Sequence, residues 1–135
     1  MATKTKTATK NNETKMEVAP FTWCDLYDFT MNEIVQNGNR KLRIFQNMPL
    51  YVGIGTVNAN TNFFSVNMPK KRNKMFAVYC DAPQFNAVKA QYETDADFKF
   101  AENANSEKNR KNCIFINENA TEKVKCAIKC AIASF

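Results

Sequence analysis

The sequence predicts a single α+β domain: an antiparallel β-meander of four or more strands packed by a C-terminal amphipathic helix, with an N-terminal helix and a flexible arm before it. Three observations carry this. Four segments of strand composition follow one another between residues 41 and 80, joined by short turn-forming stretches. Two longer segments, after Thr22 and after Asn119, repeat apolar residues at helical spacing. The chain has 135 residues, 44% of them hydrophobic, with eleven Phe, enough for one core that buries about two-thirds of the surface the unfolded chain exposes.

Residues 1–19 are rich in Thr, Lys, Ala and Asn and hold little to bury, so a flexible arm is expected there and the folded domain over 20–135. Trp23, Leu26, Tyr27, Thr30, Met31, Ile34 and Val35 then fall on one helical face. Thr22 with Asp25 forms a capping pair, and Asn37-Gly38 supplies the stop. The strands follow as "KLRIFQ" (41–46), "LYVGIGTV" (50–57), "NFFSVNM" (62–68) and "KMFAVYC" (74–80). Their connections are too short for crossovers, so neighbours pair antiparallel. Alternation places Leu42, Ile44, Val52, Ile54, Phe64, Val66, Phe76 and Val78 on a helix-covered face. The reverse face receives Lys41, Arg43, Phe45, Tyr51, Phe63 and Tyr79, with Gly53, Gly55, Ser65 and Ala77 leaving room between the rings.

Beyond the meander, Asp81 reads as an N-cap and Pro83 as a first-turn residue of a short helix with Phe85, Val88 and Tyr92 near helical spacing. Strand material is expected at 97–101 and 112–117, with a polar loop over 102–111. The last helix is expected to be capped by Asn119 with Glu122 and to pack Val124, Ile128, Ala131, Ile132 and Phe135 on one face.

The charge pattern narrows function more than the net charge of +6 does. Residues 34–80 carry Arg40, Lys41, Arg43, Lys70, Lys71, Arg72 and Lys74 and no acid, whereas 81–107 hold six acids against two lysines. A basic run facing aromatic residues suits a polyanion, because bases stack on rings while Lys and Arg track phosphates. The run "MPKKRNK" (68–74) also resembles a monopartite import signal, but the short gap between two strands holds it in a turn.

Enzyme chemistry finds little support. The chain has no His and only three Gly, which removes the commonest general base and the glycine-rich phosphate loops. Glu93, Asp95 and Asp97 with Asp81 read as a solvated acidic segment rather than a Mg²⁺ site. Cys126 and Cys130, one turn apart, read as small packing residues.

The expected function is therefore non-enzymatic binding of nucleic acid, single-stranded favoured, with no cofactor or metal. Arg40, Lys41, Arg43, Lys70, Lys71, Arg72 and Lys74 would hold phosphates, and Phe45, Tyr51 and Phe63 would stack. The alternative is a structural or protein-interaction protein, a viral assembly component or host-factor inhibitor, using the same sheet. The acidic 81–107 segment could meet a neighbour's basic surface, which makes a homo-oligomer an expectation. Five cysteines without a CxxC suit a reducing, cytoplasmic setting, and the Asn-, Lys- and Phe-rich composition suits a virus-encoded protein of a host cell. No apolar run approaches the ~18 residues of a membrane span.

Overall fold

The computed structural model describes residues 20–105 and 111–135, so the expected arm over 1–19 lies outside the described residues. Helix α1 (Trp23–Asn37) begins as its caps dictate. Thr22 is extended, its hydroxyl accepts the Asp25 N–H at 3.2 Å, and the Asp25 carboxylate accepts the Thr22 N–H at 2.8 Å. This reciprocal box satisfies two of the helix's orphan donors and holds the Asp25 carboxyl below its ordinary range, chiefly through the Thr22 N–H. Gly38 ends the helix at φ 78°, a conformation that costs glycine nothing. Only Leu26, Thr30 and Ile34 are buried, while Met31 and Val35 are 36% and 68% exposed. The buried stripe is narrower than the seven-residue face the spacing suggests.

Six strands follow: β1 (Leu42–Asn47), β2 (Tyr51–Thr56), β3 (Asn62–Asn67), β4 (Met75–Cys80), β5 (Phe98–Asn105) and β6 (Lys111–Asn117). All pair antiparallel in the order β1-β2-β3-β4-β6-β5. The meander thus continues beyond four strands, and β6 inserts between β4 and β5. The loop expected over 102–111 is shorter than that, because β5 runs on to Asn105 and β6 starts at Lys111.

Between β4 and β5 lies α2 (Ala82–Tyr92), and α3 (Thr121–Ala133) follows β6. Ala120, not Asn119, occupies the N-cap of α3, and no side chain caps it. Asn119 is instead drawn into the turn by its N–H donating to the Asn117 side chain at 2.9 Å, so the expected pair with Glu122 does not form.

All three helices pack on one face of the sheet, α1 over β1 and β2, α2 and α3 over β6. That face carries Leu42, Ile44, Val52, Ile54, Phe64, Val66, Phe76 and Val78, as alternation predicts, joined by Phe98, Phe100, Ile114 and Ile116. Phe85 of α2 meets Phe100 edge-on at 5.7 Å, and Tyr92 stacks on Phe98 at 4.4 Å. Phe64, Phe76 and Phe85 are each 1% exposed, and burial of a ring this size is worth about 3 kcal/mol. In α3, Val124, Ala127, Ile128, Ala131 and Ile132 are buried, while Phe135 keeps 47% exposure. Cys126 is exposed and Cys130 half-buried, so only the second fits the packing role expected of both.

Candidate nucleic-acid interface

The reverse face of the sheet is built by the alternate residues of the same strands. Cross-strand pairing sets Phe45 opposite Gly53, Gly53 opposite Ser65, Ser65 opposite Tyr79, and Tyr79 opposite Cys113. The next row runs Asn47, Tyr51, Asn67, Ala77, Phe115 and Lys99. Phe45, Tyr51, Tyr79 and Phe115 are half-buried, with small or amide side chains between them. None of the paired positions on this face, among the described residues, is Asp or Glu. Burial raises the Tyr79 hydroxyl above its ordinary pKa, with Cys113 adding to the shift. Burial likewise raises the Cys113 thiol to about 11, so near neutral pH both are uncharged and neither opposes a polyanion.

Phe45 is held by its neighbours on two sides. A Cβ at Gly55 would collide with its ring, so the glycine is what lets the ring lie flat on β2. The Arg43 guanidinium sits over the ring at 4.1 Å from its centre. The surface offered to solvent there is a guanidinium plane backed by an aromatic, and such a plane can itself stack a base or pair with a phosphate. Tyr51 is fixed from the other layer, because the Trp23 indole N–H donates to its carbonyl at 2.9 Å.

Phe63 is not on this face. Pairing between β2 and β3 slips at Ile54/Gly55, so that Gly55 opposes Asn62 and Phe63 is the extra residue of a bulge. Its ring turns to the helix layer, is 8% exposed, and stacks on Phe135 at 4.9 Å. Strict alternation could not show this, since a bulge shifts the side of every residue beyond it.

The cations gather in two places. Arg40, Lys41 and Arg43 lie at the start of β1, and Lys70, Lys71, Arg72 and Lys74 in the β3–β4 turn at the opposite end of the sheet. A six-residue strand separates the ends by about 20 Å. All seven are exposed. The turn is ordered by its backbone: the Lys74 N–H donates to the Lys70 carbonyl at 3.0 Å, and the Lys74 carbonyl accepts the Glu118 N–H at 3.0 Å. The "MPKKRNK" run is therefore a tethered hairpin tip.

Other charges are engaged elsewhere. Lys123 donates to Asp95 at 2.7 Å and to Asp97 at 2.9 Å. This holds the Asp95 carboxyl below its usual range, chiefly through the Lys123 hydrogen bond, and raises the Lys123 amine. Lys125 lies over Phe21 and Phe29, and Lys129 over Phe29, in the helix layer. Among the described residues no cluster of three metal-ligating side chains occurs, and no helix is long and apolar enough to cross a membrane.

Phe115 and Lys99 are the open-face residues that sequence reading missed. Their strands were visible, but the insertion of β6 beside β4 is a non-local pairing without a local signal. Comparison with known protein families, with curated proteins and with solved structures gave no match for the chain.

Proposed function

We propose that the protein binds single-stranded nucleic acid, DNA or RNA, across the open face of its sheet and without catalysis of its own. One observation carries the reading. Four half-buried rings, Phe45, Tyr51, Tyr79 and Phe115, lie between two exposed cationic ends on a face whose paired positions include no carboxylate. Phosphates would bridge from Arg40, Lys41 and Arg43 to Lys70, Lys71, Arg72 and Lys74, with Lys99 at the flank. Bases would rest on Tyr51, Tyr79, Phe115 and the Arg43–Phe45 pair. Stacking accepts any base, which favours weak sequence preference.

A second reading, association with a protein or with another copy of the chain, is favoured by Met48 and Leu50. They are 65% and 56% exposed in the β1–β2 turn beside Tyr51. Titration of fluorescently labelled dT12 and U12 at low salt and at physiological salt separates the two. Strand binding weakens steeply as salt rises because each neutralised phosphate releases counterions. Failure to bind either oligonucleotide at low salt would sink the first reading, and a salt-resistant rise in oligomeric mass would favour the second.

A further inference from the structure

Exposed large hydrophobic side chains are not scattered over the described residues. Met31, Val35, Met48, Leu50 and Val57, 36% to 68% exposed, all border one edge of the fold, and Phe135 alone lies elsewhere. That edge is β1, which no described strand pairs on its outer side. Met48 and Leu50 stand in its turn into β2, and the Val57 N–H donates to the Lys41 carbonyl at 2.8 Å. Met31 and Val35 belong to α1, which lies over β1 and β2. On α1, Phe29 meets Lys125 and Lys129 of α3. Tyr27, Met31 and Val35, successive at one-turn spacing, therefore form the flank away from α3, over the outer side of β1. The other edge strand, β5, borders none of the five, and its pairing slips between Ala101 and Asn105.

The backbone of β1 is open along the same edge. The Lys41 carbonyl bonds toward β2, and in an antiparallel ladder every second residue turns the same way. Arg43 and Phe45 thus bond β2, whereas Ile44 and Gln46 turn N–H and carbonyl outward. Leu42 turns out its carbonyl, while its N–H donates to the Asn39 carbonyl at 3.1 Å. Such an edge is a template for another strand unless charge opposes it, and β1 carries Lys41 and Arg43.

A second β1, run antiparallel about Ile44, meets that condition. Ile44 opposes Ile44, Leu42 opposes Gln46, Arg43 opposes Phe45 and Lys41 opposes Asn47, so no two cations face each other. Ile44 N–H groups bond Ile44 carbonyls, and Gln46 N–H groups bond Leu42 carbonyls, each bond made twice by symmetry. This register keeps the helices of both copies on one side of a continuous sheet. With α1 midway between β1 and β2, and strands about 4.8 Å apart, the two α1 axes come about 10 Å apart, the spacing of packed helices. Cys24 and Asp28 also fall on the meeting flank. Asp28 lies on the Trp23 half of α1, which is tied to Tyr51 at the Asn47 end of β1; there the second copy brings its Arg40 and Lys41. We infer that the protein forms a two-fold homodimer in which β1 pairs with β1 and α1 packs on α1. This gives the self-association reading a surface other than the open face, and strand binding does not depend on it.

Sedimentation equilibrium of the full chain without nucleic acid is expected to give twice the 15.4 kDa chain mass at about 100 µM. Met31→Lys with Val35→Lys, at two exposed positions, is expected to keep the wild-type far-UV circular dichroism. It should weaken the dimer tenfold or more, because four cations then meet across the two-fold axis. Gln46→Pro removes one outward N–H per copy and spares the β2 ladder; it too is expected to weaken the dimer tenfold or more. A monomeric wild-type chain at that concentration overturns the inference, as does a dimer that either variant, once folded, leaves undiminished. In the first case a foreign protein remains to the association reading, and in the second another surface does. Titration with dT12 is scored separately: a dimer that binds no oligonucleotide upholds the inference and counts against the open face alone.

Discussion

The two faces of the sheet are built from alternate residues of the same strands and end in different states. On the helix side Val52, Ile54, Phe64, Val66, Phe76 and Val78 are at most 2% exposed. On the other side of the sheet Phe45, Tyr51, Ala77 and Tyr79 are half-buried and stand beside Gly53, Gly55 and Ser65. The first face is filled by interlocking aliphatic and aromatic volume; the second spaces its rings apart with small residues. The small residues between the rings are themselves covered, Gly55 by the Phe45 ring and Gly53 by the Asn62 side chain, so this face presents ring surfaces rather than interlocked volume. The difference is therefore between a face that holds the fold and the face proposed to bind, and substitutions on the two sides should separate stability from binding.

The largest effect belongs to the helix side. Phe76→Ala removes a fully buried ring and is expected to cost about 3–5 kcal/mol in urea unfolding. Phe63→Ala, on the same side because of the bulge, should cost on the order of 3 kcal/mol; a near-neutral result would return that ring to the open face. Gly55→Ala drives a methyl into the Phe45 ring and against the Thr61 carbonyl and the Asn62 Cα and is expected to destabilise by about 1–3 kcal/mol, with Phe45→Ala in the same chain relieving only the part due to the ring.

Open-face rings should behave in the opposite way. Tyr79→Ala and Phe115→Ala are each expected to weaken dT12 binding by about 1–3 kcal/mol while leaving the unfolding midpoint nearer to wild type than Phe76→Ala does. Unfolding of both variants on the scale of Phe76→Ala would erase the distinction between the faces. Replacing Lys70, Lys71 and Arg72 together with Gln should lower the slope of log affinity against log salt by about 2, with stability little changed because all three are exposed.

The smallest effect lies off the sheet. Asp95 is held below its ordinary pKa first by the Lys123 hydrogen bond and then by the Asp97 N–H. Its stabilising contribution is present above the unfolded carboxyl value of about 3.9 and is lost as pH falls through the lower folded value. Asp95→Asn should thus be less stable than wild type at neutral pH, with the gap closing below about pH 4. A gap that widens in acid would contradict the Lys123 pairing.

Local signals in the sequence account for much of this. Thr22, Asp25 and Gly38 bound α1 because capping is set by residues three or four apart. Leu42, Ile44, Val52 and Ile54 mark one face of β1 and β2 because pleat alternation is local too. Phe63 was misplaced because its bulge depends on how β2 and β3 register, with Gly55 admitting both the Phe45 ring and the Asn62 backbone. Asn119 was misread as a cap because its N–H is taken by the preceding Asn117 turn. Phe115 and Lys99 joined the face only through the pairing of β6 with β4 and β5.

Side-chain NMR of the full chain during titration with dT12 tests the central claim most directly. The aromatic ¹³C signals of Tyr51, Tyr79 and Phe115 are expected to shift with a common saturation curve, while those of Phe64, Phe76 and Phe85 in the helix layer stay in place. Shifts confined to the helix-layer rings, or no shift in any open-face ring at saturating oligonucleotide, would contradict it.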